Sequence, residues 1–140
     1  MTVIDSRLKL LTCRQDDNQS MSDYYKEFKS RAEVTAVVDG EQGVGREGAM
    51  FGGIGEECCK VNQVDKPDNP NDDWRQKVDA FSHNQLLAML FIRNSSGRRY
   101  GSLKAKLRNS CVHGNNNYPA TLTKSYKLLQ NYKSEVPNKP

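Results

Sequence analysis

Five cations fall within a short stretch of the C-terminal half. They are Arg98, Arg99, Lys104, Lys106 and Arg108. Guanidinium and ammonium groups bind phosphate oxygens, and such binding weakens steeply as salt rises. Nearby, Tyr100, Leu103, Leu107 and Cys111 recur at steps of three and four, which places them together on the other face of a helix. The pattern predicts an amphipathic helix whose basic side is either a solvated face or a nucleic-acid-binding surface.

Six glycines between residues 43 and 55 include the pattern G-x-G-x-x-G at residues 43–48. In dinucleotide sites such glycines let the backbone approach a pyrophosphate, but they follow a strand and open a helix. The run VTAVV at residues 34–38 could be that strand, yet GAMFGGIG at residues 48–55 cannot open a stable helix. We therefore interpret the glycines as part of a loop and expect no nucleotide cofactor.

Thiols and imidazoles could bind zinc, and the sequence holds several of them. The relevant residues are Cys58, Cys59, Cys111, His83 and His113. No C-x-x-C pair is present, and Cys111 and His113 are too close in sequence for the usual ligand spacing. No serine or cysteine lies in a recognisable nucleophile motif. We expect free thiols, no metal, no cofactor and no catalytic residue, so that the protein is not an enzyme.

The 140 residues, of which 36% are hydrophobic, are enough for one domain with a modest core. The longest apolar run, Leu86 to Ile92, spans seven residues, whereas a bilayer needs roughly 20. The first residues also lack a secretory apolar core. We expect a cytoplasmic protein with no membrane partner.

Charge is divided sharply along the chain. Residues 1–73 hold 9 basic and 15 acidic side chains, whereas residues 74–140 hold 12 basic and 2 acidic ones. Opposite charge on the two halves favours either a neutral intramolecular face or attraction between copies, and it leaves a basic surface for polyanions. This division supports association between copies of the chain.

Apolar spacing predicts helices in the N-terminal part. Residues 3–15 place Ile4, Leu8 and Leu11 on one face, which predicts a short helix that buries them. Residues 20–38 begin with Ser20 as a cap and carry Tyr24, Phe28 and Ala32 on one stripe. These two helices form a predicted hairpin at residues 1–40.

Three further helices are predicted after a break. Residues 41–72 are rich in Gly, Pro and Asp, which predicts a long flexible loop with one helical turn near residues 56–60. Asp72 or Asp73 then caps a central helix at residues 74–94, and Thr121 caps a last helix. Together with the basic helix they form a predicted three-helix segment at residues 73–133, followed by a disordered tail at 134–140.

Several of these segments resemble Gag polyproteins of copia-type LTR retrotransposons. The resemblance is carried by residues 97–101 (GRRYG), by 115–119 (NNNYP), by the pattern TLT…Y…LL…NYK over residues 121–133, and by residues 20–29 (SMSDYYKEFK). Together these four segments contain 33 of the 140 residues. The resemblance implies an all-α, capsid-like assembly domain, and its motifs contain no residue with diagnostic chemistry.

We therefore expect a non-enzymatic, capsid-like protein that self-associates into oligomers or shells, with RNA as a further partner through the basic helix. The stripe Trp74, Val78 and Phe81 is a candidate assembly contact, because interface anchors are enriched in tryptophan. Packing of these three side chains in the core is the alternative. The rival hypothesis for function is a basic helical nucleic-acid-binding module without homotypic assembly, and neither hypothesis includes a small-molecule substrate.

Overall fold

The computed structural model describes residues 2–39, 58–59, 72–114 and 117–132, and the regular structure in these ranges is entirely helical. The helices are α1 (Val3–Leu11), α2 (Met21–Asp39), α3 (Asp72–Arg93), α4 (Gly97–Val112) and α5 (Leu122–Asn131). The all-α prediction is confirmed. Most of the predicted loop at 41–72, including the glycine pattern, and the tail at 134–140 lie outside the described residues.

Local hydrogen bonds fix where the helices begin. The hydroxyl of Ser20 accepts from the Asp23 amide at 3.1 Å, and that of Thr121 accepts from the Lys124 amide at 3.3 Å. Each side chain thereby satisfies one of the backbone donors that a helix start leaves free, as the sequence predicts. The expected cap of α3 is wrong, because Asp72 and Asp73 both lie in its first turn. In that turn their negative charges interact favourably with the positive end of the helix dipole.

One apolar core joins all five helices. Its buried members are Leu10, Cys13, Met21, Tyr24, Phe28, Leu87, Phe91, Ile92, Tyr100, Leu107 and Leu129. The Tyr24 and Phe91 rings stack with centroids 4.5 Å apart, and the Phe28 ring meets Phe91 edge to face at 5.3 Å. Such aromatic pairs contribute about 0.5–1.5 kcal/mol beyond their buried area. The N-terminal hairpin therefore packs on the same core as the C-terminal helices.

Helices α1 and α2 run antiparallel and are joined by polar contacts. The Thr35 hydroxyl donates to the Ser6 carbonyl at 3.2 Å, and the Arg31 guanidinium donates to the Lys9 carbonyl at 2.8 Å. These contacts turn Ser6 and Leu10 inward, with 2% and 1% of their surfaces exposed. Positions 6 and 10 are one turn apart, so a single face of α1 points at α2.

The predicted inner face of α1 is wrong. Ile4, Leu8 and Leu11 are 70%, 53% and 43% exposed. Ile4 and Leu8 lie opposite Ser6 and Leu10, because positions two residues apart in a helix differ by roughly 200°. Leu11 lies roughly 100° from Leu10, beside the other two exposed residues. The apolar spacing of α1 was recognised correctly, but the hydrogen bonds to α2 orient the opposite face inward.

A buried polar corner connects α3 to α4. Its residues Asn94, Ser95 and Ser96 are all less than a tenth exposed. The segment that joins α1 to α2 lies against this corner. The Gln15 amide donates to the Asn94 carbonyl, and the Ser96 amide donates to the Gln15 side-chain oxygen, each at 2.9 Å. Helix α1 ends at Leu11 rather than at the predicted residue 15, because the chain leaves the helix to make these bonds.

The Asn94 side chain extends this network by donating to the Leu11 carbonyl at 3.0 Å, and the Ser96 hydroxyl donates to the Asp17 carboxylate at 2.8 Å. The partners are about 80 residues apart in sequence. Buried polar groups are costly unless they are paired, so this set of bonds holds the two segments in one register.

Helix α4 buries Tyr100 and Leu107 as predicted, while Leu103 is half-buried against the core. Cys111, the last residue of the predicted stripe, is exposed. Gly114 follows the helix with φ of 88°, a left-handed conformation that ends helices at low cost only for glycine. Cys111 thus lies in a last turn that extends beyond the core.

Tyr24 connects α2 to the end of α3, and its removal tests this contact. Its hydroxyl donates to the Phe91 carbonyl at 2.7 Å. We expect Tyr24→Phe to lower the free energy of unfolding by about 1–2 kcal/mol at neutral pH, because a buried acceptor loses its partner. Tyr25→Phe is the matched control, and we expect a change below about 0.5 kcal/mol. Equal effects of the two substitutions in urea unfolding would contradict this assignment.

The Tyr24→Phe substitution should also change how the free energy of unfolding depends on pH. Burial raises the pKa of Tyr24 well above its ordinary value, with smaller contributions from Cys13 and Glu27. Above the ordinary tyrosine pKa of about 10, the unfolded chain releases this proton while the folded chain keeps it, so stability falls as pH rises. The stability gap between wild type and Tyr24→Phe should therefore narrow above about pH 10.

Candidate functional site

The five cations of the basic helix do not form one surface. Arg98, Lys106 and Arg108 are exposed, whereas Arg99 and Lys104 are half-buried. The division follows from helix geometry, since positions 100, 103 and 107 face the core and positions 99 and 104 flank that face. The sequence prediction identified the basic helix but treated its exposed and half-buried cations as one group.

Arg99 binds backbone rather than solvent. Its guanidinium donates to the Gln19 carbonyl and, at 3.4 Å, to the Asp16 carbonyl. Its Nε is buried without a hydrogen-bond partner. The guanidinium carbon also lies 5.8 Å from the centre of the Tyr100 ring, within the range of a cation–π contact. Arg99 therefore attaches the segment between α1 and α2 to the start of α4.

Lys104 binds the end of α3. Its ammonium donates to the Arg93 carbonyl at 2.9 Å and to the Ser95 carbonyl. Carbonyls at a helix end lack partners within the helix and carry partial negative charge, so a cation is stabilising there. Burial lowers the pKa of Lys104, and the nearby charge of Arg14 lowers it further. Lys104 is consequently a structural cation that closes the corner.

The remaining three cations lie in a stretch of unbalanced charge. Residues 80–134 contain nine Lys and Arg side chains and no Asp or Glu. Arg98, Lys106 and Arg108 have no ion pair within the part of the chain that the structure describes. They project from the exposed half of α4 over about two and a half turns. This arrangement can meet phosphate groups without specifying a base sequence.

The candidate assembly stripe on α3 is largely internal. Val78 is fully buried and Phe81 is 8% exposed, and both pack with Cys58 in a second apolar cluster. Trp74 is half-buried against the same cluster. Val78 and Phe81 thus leave almost no exposed area for contact with a second copy.

The α1–α2 hairpin carries most of the exposed apolar surface. Among the described residues, six large apolar side chains are exposed, and five of them lie on this hairpin. They are Ile4, Leu8 and Leu11 on α1 and Val34 and Val37 on α2. The valines belong to the half of α2 that packs on α1, since Thr35 contacts Ser6. The sequence contained the signal for this surface in the spacing of positions 4, 8 and 11, but the spacing does not say which face is outside.

The thiols and imidazoles are dispersed. Cys13, Cys58 and Cys59 are buried, Cys111 is exposed, and none of the four is in a disulfide. Burial raises the pKa of the Cys13 thiol, while Arg31 opposes the shift. That thiol therefore stays protonated near neutral pH and is a poor nucleophile. Within the described ranges, no three His, Cys, Asp or Glu side chains converge as a metal site would require.

Two further findings bear on function. Comparison with protein-family models, with curated proteins and with solved structures gives no match to this chain. Among the described helices, none combines the length and the apolar content needed to cross a bilayer. The function must therefore be argued from the geometry of the chain itself.

Proposed function

We propose that this chain is a non-enzymatic structural module that self-associates through its α1–α2 hairpin. The observation that carries the proposal is the exposed stripe of Ile4, Leu8 and Leu11, which faces away from the core while the rest of α1 is anchored to α2. Burial of apolar surface is favourable by about 25 cal/mol per Å², and a stripe on a rigid helix loses little conformational freedom when it pairs.

A second copy is the occupant that fits this surface best. Helix α1 presents apolar residues at steps of four and three, which can pack side by side against an identical helix in a twofold contact. The opposite charge of the two halves of the chain adds attraction between acidic and basic regions of neighbouring copies. Apolar contact provides the affinity in this account, and charge orients the copies.

The resemblance to copia-type Gag proteins supports the same proposal at a finer level. A capsid-like role requires a small helical domain with at least one homotypic contact, and the all-α fold with its exposed hairpin is compatible with both requirements. We accordingly propose a retrotransposon Gag or capsid-like protein that forms oligomers or shells in the cytoplasm.

RNA binding through α4 is a second candidate function. The specific observation in its favour is that Arg98, Lys106 and Arg108 remain exposed within a stretch that has no acidic residue. Arg99 and Lys104 are not part of this contact, since they are half-buried beside the core-facing side of α4 and do not share the exposed face of the other three cations. Binding of this kind is electrostatic and weakens with salt.

Leu8→Glu tests self-association. We expect wild-type mass in light scattering to rise with protein concentration, and the variant to remain monomeric, because a charge would be placed in the apolar contact. Val112→Glu is the matched control, since Val112 is 78% exposed and also lies in the last turn of its helix. The control should assemble as wild type does. A wild-type monomer at every protein and salt concentration would reject the proposal.

The RNA contact is tested by replacing Arg98, Lys106 and Arg108 together with glutamine. Affinity for a short single-stranded RNA should fall, and the slope of log affinity against log salt should shrink by about one for each lost phosphate contact. Replacing the exposed Lys9, Lys26 and Arg75 removes the same charge elsewhere and should change binding less. An equal loss of RNA affinity in the two variants would show that only net charge matters. No loss of affinity in the α4 variant would show that its basic side is only a solvated face.

A further inference from the structure

A small polar cavity lies at the corner between α3 and α4, where the segment joining α1 to α2 passes. Its volume is about 390 Å³, near the lower end of the ~300–1,000 Å³ typical of ligand sites. The wall contains three cations and three polar corner residues: Arg14, Arg93, Lys104, Gln15, Asn94 and Ser95. Three separate segments of the chain thus each contribute a cationic residue to the lining of one space.

Among the residues that the structure describes, no acidic side chain balances the charges of this cavity. None of the described lining residues is acidic, and the exposed Arg14 and Arg93 have no ion pair with any described residue. Asp17, an acidic residue of the same hydrogen-bond network, accepts a hydrogen bond from Ser96. Lys104 uses two of its three donors on carbonyls, which leaves one for a ligand. Arg14 and Lys104 repel each other, and an anion in the cavity would offset that repulsion.

The start of α4 adds to the positive potential. Gly97, its first residue, lines the cavity, and the backbone donor of a first helical residue has no partner within the helix. The macrodipole places about half a positive charge at this end of the helix. A β-carbon built on Gly97 would meet nothing within 4 Å, so the approach to this backbone is open.

We propose that the cavity binds a small polyphosphate anion of the pyrophosphate class. The oxygens of such an anion can accept hydrogen bonds from two arginine guanidinium groups, one ammonium group and the start of a helix. Its several negative charges match this number of cations better than the single charge of a carboxylate. The site lies within one chain, so this inference does not depend on self-association or on the exposed face of α4.

Binding should also stabilise the fold. The anion would hold Arg14, on the segment after α1, against Arg93 at the end of α3, and a ligand that binds only the folded state raises its stability. It would also remove the repulsion between Arg14 and Lys104 that lowers the pKa of Lys104. Occupancy is therefore readable as a rise in melting temperature.

The test uses the full chain and sodium pyrophosphate, with sodium chloride of equal ionic strength as the reference. We expect pyrophosphate to raise the melting temperature beyond the chloride effect, and calorimetry to show one site per chain. The double variant Arg14→Gln/Arg93→Gln should lose the rise, with affinity reduced at least about tenfold for each arginine. Arg98→Gln/Arg108→Gln removes the same charge outside the cavity and should keep the rise.

Three results would overturn the proposal. The first is an equal rise in chloride, and the second is a rise that persists in Arg14→Gln/Arg93→Gln. The third is an absent pyrophosphate response together with weaker binding of single-stranded RNA by that variant, which would assign the cavity to a nucleic-acid backbone instead. Because both arginines are exposed, the variant should retain the wild-type circular dichroism spectrum, and this is checked first.

Discussion

The rest of this structure depends on one constraint: the backbone groups where α3 ends must find hydrogen-bond partners. A helix end leaves carbonyls without partners, and the three residues that follow this helix, Asn94, Ser95 and Ser96, are buried. Tyr24 bonds the Phe91 carbonyl, and Lys104 bonds those of Arg93 and Ser95. Ser125 adds a bond to the Ala88 carbonyl, about one turn earlier in α3. The central helix is thereby tied to α2, α4 and α5 by bonds that have few alternatives in an apolar interior.

The same constraint explains the two surfaces on which the functional proposals rest. The corner draws the chain away from α1 after Leu11 and brings Arg14 beside Lys104. The polar contacts of α2 with Ser6 and Lys9 then fix the rotation of α1, so its apolar stripe faces outward. The exposed hairpin and the cationic cavity are thus both consequences of how buried polar groups are paired.

Much of the fold was predictable because its signals are local. Caps at Ser20 and Thr121 and the stripe of Tyr24 and Phe28 depend on residues within one or two turns of each other. The functional geometry was less predictable, because the roles of Arg99, Lys104 and Gln15 depend on carbonyls that belong to distant segments. The spacing of the five cations places Lys104 beside the core-facing side of α4, but it does not show that Lys104 binds the carbonyls of Arg93 and Ser95. The outward face of α1 was missed for the same reason, since its orientation is decided by Thr35 and Arg31 on another helix.

Amide hydrogen exchange at Gln15 and Ser96 tests the central claim most directly. Both amides lie outside regular helices, and ordinary loop amides exchange through small local openings. If the buried corner organises the fold, these two amides should exchange only when the whole chain unfolds, with protection equal to that of core amides in α3. Fast exchange of both under conditions where α3 stays protected would show that the corner opens independently, and the account would then be wrong.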